Sequence, residues 1–249
     1  MHRFDGKTAI VTGAASGLGR ATAVRLGSER ATVACLDVVL AGAESAATEI
    51  TKAGGQARAY QVDVADPRST RAGVTAAATD LGRPAVLVNC AGIGKFAHSH
   101  ELPFEEWSRI IAVNLTGSFL MAQAVLPYLL DGGGNIVNIA STAGLMGQPY
   151  SAAYCASKGG VVQLTKSLAD EYLSRGVRVN AVAPGGMDTP MQGAFKLPAG
   201  VDFSAITKLM TPLGVARPEE VAALVAFVAS DEGRYMTGAI VSIDGGLTI

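Results

Sequence analysis

Charge is scarce in this chain. Of 249 residues, 20 are lysine or arginine and 21 are aspartate or glutamate, 16% together, where soluble domains usually carry about a quarter. The signs nearly cancel, to a net −1, and no basic block occurs. That argues against nucleic acid or an anionic membrane surface as a partner. Cysteine is scarce as well. Cys35, Cys90 and Cys155 are odd in number and scattered among small or apolar neighbours, so they suggest neither a disulfide framework nor a metal site. They read as reduced thiols of a cytoplasmic protein. No charged-then-apolar leader is expected, and no apolar run long enough to span a bilayer. No linker-like shift in composition divides the chain, so residues 1–249 read as one domain. What is plentiful is apolar, at 49%. That suffices for a large core and leaves apolar surface for subunit contacts.

Short apolar runs alternate with longer helical patterns. Strands are expected at residues 7–12, 31–36, 57–62, 85–89, 135–140, 177–183 and 239–243. Helices are expected near 20–30, 41–53, 67–81, 104–130, 154–175 and 218–229. Runs apolar at successive positions suit strands covered on both faces. Strand-helix alternation of this length predicts βαβ units and a Rossmann-like doubly wound α/β domain with a seven-stranded parallel sheet. Residues 187–211 show no clear period and read as a lid over the site.

Thr12-Gly13-Ala14-Ala15-Ser16-Gly17-Leu18-Gly19 joins the first strand to the first helix. Glycines permit the tight turn and let the backbone approach a pyrophosphate, which a helix N-terminus favours electrostatically. Eighteen residues after Gly19, Asp37 ends the second strand. A carboxylate there accepts from both hydroxyls of an adenosine ribose and repels a 2′-phosphate. Ser16 and Val38, where a basic residue would rescue phosphate binding, are neutral. The expected cofactor is therefore NAD, with NADP disfavoured.

Tyr154 and Lys158 are four apart, on one helical face. A phenol titrates near pH ~10 in water, and an ammonium one turn away is expected to lower it towards the working range. Ser141, at the end of a strand, can present a hydroxyl to the same point. The three suit proton transfer at an oxygen while something else moves a hydride.

With these residues the whole chain resembles the short-chain dehydrogenase/reductase family, of the compact type near 250 residues. The glycine loop is similar to its T-G-x-x-x-G-x-G pattern, and Asn89-Cys90-Ala91-Gly92 to its N-N-A-G element, with Cys90 replacing the second asparagine. Asp244-Gly245-Gly246 resembles its closing turn. The resemblance implies catalytic roles for Asn114, Ser141, Tyr154 and Lys158. Tyr154 would be the acid or base, Ser141 would polarise the substrate oxygen, and Lys158 would tune the phenol and bond the nicotinamide ribose. Asn114 would hold a water linking Lys158 to solvent. It further implies cofactor contacts from Gly13, Ser16, Gly17, Leu18, Gly19 and Asp37 at one end. Asp63 and Val64 would meet the adenine. Asn89, Ala91 and Gly92 would line the path, and Val113, Pro184, Gly185, Met187 and Thr189 the nicotinamide side. A homotetramer pairing the two long apolar helices is implied too.

The expected substrate is a small secondary alcohol or its ketone. Met146, Tyr150, Met187, Met191 and Phe195, with Ser141 and Tyr154, are expected to frame an apolar, uncharged pocket. His98 and His100 have no third ligand nearby, so no metal is expected. The first alternative is a 3-oxoacyl-[acyl-carrier-protein] or acyl-CoA reductase using NADPH. Asp37 argues against it, and so does the lack of a basic patch in Leu129-Leu130-Asp131-Gly132 and Asp170-Glu171. A non-catalytic NAD(H)-sensing regulator is the second alternative, and the retained catalytic positions argue against that.

Overall fold

The computed structural model describes residues 2–249. Seven strands form one parallel sheet: β1 (Thr8–Thr12), β2 (Thr32–Asp37), β3 (Gln56–Gln61), β4 (Pro84–Asn89), β5 (Gly134–Ile139), β6 (Val177–Pro184) and β7 (Ile240–Ile243), in the spatial order β3-β2-β1-β4-β5-β6-β7. The expected doubly wound sheet is present. Its central strands are apolar on both sides because helices cover both faces. Ala9 and Val11 of β1, with Val33 and Cys35 of β2, point into one core; Ile10, Ala34 and Leu36 point into the other. This alternation is the two-residue period of a strand, here with both faces dry. Each fully buried Val, Leu or Ile contributes about 1.5–3 kcal/mol.

The first face carries α1 (Gly17–Ser28), α2 (Leu40–Lys52) and α8 (Pro218–Ala229). The second carries α3 (Pro67–Leu81), α5 (Gly117–Leu129) and α6 (Ala152–Tyr172). α1 begins three residues earlier than its periodicity suggests, because the last glycines of the loop form its first turn. A short α7 (Phe203–Thr207) and a 3₁₀ turn at Pro190–Ala194 give the 187–211 segment some local order.

The long helix expected at 104–130 is not uniform. α4 (Phe104–Ile111) runs into a π-helical segment, Ala112–Thr116, before α5 continues to Leu129. By length and composition alone, an 18-residue window of the helical stretch Phe104–Leu129, with mean hydropathy 1.6, could cross a bilayer, which corrects the expectation that no such run exists. Its apolar side is spent instead on the sheet: Met121, Ala122, Val125, Leu126 and Leu129 lie in the second core.

Consecutive connections run outward from β1 to β3, then return across β1 to β4. The strand order therefore reverses between β1 and β4, and a crevice opens there beyond the carboxyl ends of the strands. The glycine loop, the 89–92 element and the ends of β5 and β6 all face this crevice.

Candidate active site

A cleft of about 740 Å³ occupies the crevice, within the size range of cofactor sites. At one end lies the glycine loop. Gly13 and Gly17 have φ of +67° and +51°, in the left-handed region that only glycine enters cheaply. Gly13 also lies flat against the 89–92 element, where a Cβ would come 2.9 Å from Ala91 N. At Gly19 a Cβ would fall 2.0 Å from Gly13 O, so the third glycine lets α1 start tight against the loop. Ser16 precedes the first turn and makes no capping bond with its side chain, which leaves the amides of that turn available to an anion. Thr12 Oγ1 accepts from Cys90 N and Ala91 N, both at 3.1 Å, and ties β1 to β4 beneath the cleft.

Asp37 stands beside this loop. Its Oδ2 accepts from Ala15 N at 3.0 Å and its Oδ1 from Val39 N at 2.9 Å. These bonds fix the carboxylate at the cleft wall and leave lone pairs for further donors. Val38, next to it, is exposed and neutral. Asp63 and Val64, just after Val62 whose N donates to Asp37 O at 2.8 Å, line the cleft too, as does Val113. A Cβ-free cradle, open helix amides and a fixed carboxylate fit a dinucleotide's pyrophosphate and ribose.

The other end holds Ser141, Tyr154 and Lys158, all lining the cleft. Ser141 ends the β5 connection and caps a 3₁₀ turn, its Oγ accepting from Ala143 N at 3.1 Å. Tyr154 and Lys158 lie on the first turns of α6. Lys158 is buried, and its Nζ donates to Ile139 O at 2.7 Å. The same Nζ lies 5.7 Å from the centre of the Tyr154 ring. Burial pulls the lysine down to about 8. Burial pushes the phenol up to about 12, opposed by hydrogen bonding with Ser141. The four-residue spacing led to the opposite expectation for Tyr154. Loss of hydration outweighs the neighbouring ammonium because Nζ sits over the ring and is directed at a backbone carbonyl.

Asn114 lies behind the cleft wall, inside the π-helical segment, and is 1% exposed. Its Oδ1 accepts from Ile93 N at 2.8 Å; its Nδ2 donates to Ile93 O at 2.9 Å and to Ser157 Oγ at 3.0 Å. The side chain is thus occupied in clamping the 90s loop to α6. Its backbone carbonyl accepts from Ser118 Oγ at 2.7 Å.

All the residues expected to hold the cofactor face the cleft except Asn89, which is buried behind it. Asn89 Nδ2 donates to Asn138 Oδ1 at 2.9 Å and to Ser118 O at 3.2 Å, joining β4, β5 and α5. Among the expected substrate residues, Met187 and Met191 line the cleft. Met146 faces a second, open cavity shared with Leu247, Thr248 and Ile249. Tyr150 and Phe195 are not part of the cleft lining: Phe195 packs on Tyr154 at 5.3 Å, and Tyr150 packs on His98 at 5.2 Å. Tyr150 holds φ +62°, a left-handed conformation costing an L-residue roughly 1–2 kcal/mol. Arg109 and Ile93 line the cleft without having been singled out. Arg109 lies one turn before Val113, so the helical period was a usable signal for it. His98 and His100 are 5.6 Å apart between ring centres, and no group of three metal-ligating side chains occurs among the described residues.

Three comparisons bear on this geometry. A family model described as enoyl-(acyl carrier protein) reductase matches residues 13–248. A D-threitol dehydrogenase of Mycolicibacterium smegmatis is 43% identical over 249 residues, spanning 99% of this chain and 95% of the relative. Two solved structures are each 34% identical. One is a short-chain type dehydrogenase/reductase from Mycobacterium marinum, with TM-score 0.91 over 99% of this chain and 97% of that one. The other is a 3-ketoacyl-(acyl-carrier-protein) reductase from Brucella melitensis complexed with NADH, with TM-score 0.90 over 99% of this chain and 100% of that one.

Proposed function

The chain belongs to the short-chain dehydrogenase/reductase family, an oxidoreductase acting on CH–OH donors with a nicotinamide cofactor, and from that premise we propose that it interconverts a secondary alcohol and a ketone using NAD. The observation that carries this reading is the cleft itself. A fixed Asp37 carboxylate stands at its ribose end, and Ser141, Tyr154 and Lys158 converge at its other end.

When bound, the nicotinamide supplies the hydride acceptor or donor, and its oxidised form adds a positive charge to the site. The remaining steps belong to the chain. The Ser141 hydroxyl donates to the substrate oxygen and positions it. In ketone reduction the Tyr154 phenol, held protonated by burial, gives its proton to that oxygen. In alcohol oxidation the phenolate takes the proton back. The Lys158 ammonium supports the phenolate as it forms and contributes a donor to the ribose. Asn114, as the clamp between Ile93 and Ser157, keeps the 90s loop and α6 in register around these groups. The lining by Ile93, Met187, Pro190 and Met191 supports an apolar, uncharged substrate.

A second reading is a 3-oxoacyl-carrier reductase. It is favoured by the likeness to the Brucella enzyme, and because that enzyme is complexed with NADH, an NAD preference does not by itself exclude it. Family membership and the retained catalytic groups support turnover over the sensor alternative. The cofactor test is a thermal shift with NADH and NADPH at matched concentrations, since a ligand of the folded state raises the midpoint by mass action. The reaction test follows NADH formation with simple secondary alcohols beside NADH consumption with an acetoacetyl thioester. Preference for NADPH, with turnover of the thioester alone, would overturn the proposal.

A further inference from the structure

The lid carries one side chain to the catalytic phenol. The Phe195 ring packs edge-on against Tyr154, centre to centre 5.3 Å, and edge-on against Phe96 at 4.9 Å. Rings at these separations are already in contact. A hydrocarbon chain threading between them would need about 4 Å of clearance on each side. The third side of the ring is Gly94, where a Cβ would stand 2.1 Å from Phe195 Cζ. The absent side chain at Gly94 is thus what admits the ring.

The segment after Phe195 is fastened on the far side. His98 Nε2 pairs with Ala199 O at 2.8 Å, and Asp202 N donates to the Tyr150 hydroxyl at 2.8 Å. Tyr150 O accepts from Ala97 N at 2.8 Å, and the His98 ring packs edge-on to Tyr150 at 5.2 Å. Asp202 then caps α7 through Ser204 N. The uncommon left-handed backbone of Tyr150 turns this residue out at the start of α6, where its hydroxyl meets the lid; such conformations persist where surroundings over-determine them.

We propose that Phe195 is a specificity-determining residue: seated in the space left by Gly94 and held by the Tyr150 and His98 contacts, it closes the substrate end of the cleft and limits the enzyme to compact secondary alcohols. This rests on the alcohol–ketone reading above. While the ring is in place, an alkyl substituent of the carbinol cannot extend between Tyr154 and Phe96.

The test compares the parent with Phe195→Ala and Tyr150→Phe on 2-butanol, 2-hexanol and 2-octanol. The parent is expected to lose about tenfold or more in kcat/KM from 2-butanol to 2-octanol, the scale on which a pocket rejects excess methylenes. Phe195→Ala should flatten that decline to about threefold or less. Tyr150→Phe, which keeps the ring and removes only the latch hydroxyl, should fall between. The same chain-length profile in the parent and Phe195→Ala overturns the proposal, as does a parent that handles 2-octanol as well as 2-butanol. Amide hydrogen exchange gives a readout independent of turnover. Phe195→Ala should speed exchange at residues 94–97 and 199–202 at an unchanged melting temperature. If no alcohol is turned over, the alcohol reading fails, and unchanged exchange in these two segments overturns the closure on its own.

Discussion

Burying an ammonium beside a phenol sets two opposed pH dependences on the same helix. Lys158 titrates at about 8 in the folded chain against an ordinary 10.5. Below pH 8 it is charged folded or unfolded, and folding carries the full cost of its burial. Between pH 8 and 10.5 the unfolded chain binds the extra proton, so this group makes stability rise with pH, by at most roughly 3 kcal/mol. Tyr154, raised to about 12 from 10.0, acts in the other direction and lowers stability above pH 10. Chemical denaturation of the parent and Lys158→Met across pH 7–10 should show the rise in the parent and a much weaker one in the variant. Equal slopes would mean the lysine is hydrated. Tyr154→Phe should reduce turnover by about 10²–10⁴-fold, the usual worth of a positioned acid or base, with little change in melting temperature. At the cofactor end, Asp37→Ser should weaken NADH binding by roughly tenfold or more and narrow or reverse the preference over NADPH, since charge-assisted bonds are worth about 1.5–3 kcal/mol. Titration calorimetry with both cofactors checks it. The place of Asp37 at the cleft wall was readable from sequence because a residue that ends the strand beside a glycine loop must lie next to that loop. Asn89 was not, because the motif marks its position and says nothing about which way an amide points. Only the neighbouring strand, through Asn138, shows that it points inward.

At the scale of elements, the glycine loop and α1 were legible because each glycine answers a local geometric need. Gly19→Ala places a Cβ 2.0 Å from a backbone oxygen, and backbone cannot swing aside as a side chain can. The variant should lose most dinucleotide affinity and some stability together. The break in the long helix was not legible. Residues 104–130 read as one apolar helix, since hydropathy carries no signal for a π turn. The turn goes with tertiary contacts: Asn114 reaches Ile93 and Ser157 from within it, while its carbonyl is taken up locally by Ser118. π segments of this kind are frequent at functional sites. Asn114→Ala would leave both the N–H and the C=O of Ile93 without their partner. It should cost about 2 kcal/mol or more of stability and depress kcat through a loosened 90s loop. A variant as stable as the parent by urea titration would show that the clamp is not structural. The lid was equally opaque. Its order draws on Tyr150, His98 and Phe96, which meet lid residues 52 to 101 positions away, and not on its own periodicity.

The whole molecule leaves apolar surface that its own fold does not cover. Phe104 is 75% exposed, Phe119 42% and Leu173 60%, and these side chains belong to α4, α5 and the 3₁₀ turn that follows α6. Single exposed apolar residues are ordinary, and several on adjoining elements are what an interface between copies would cover. The scarcity of charge in the sequence points the same way, since a monomer of this size would normally keep such helices polar outside. A homotetramer pairing the α5 and α6 faces would bury Phe119 in a two-fold interface, where each copy presents the same patch to the other. Light scattering on the purified protein should then give a mass about four times the 25.4 kDa chain. Phe119→Glu should lower that mass, because a carboxylate brought against its own symmetry mate is neither hydrated nor paired. Both variant and parent should keep the same helical content by circular dichroism. A parent running at the mass of one chain would place the exposed aromatics outside any self-association and leave the catalytic cleft complete within a single copy.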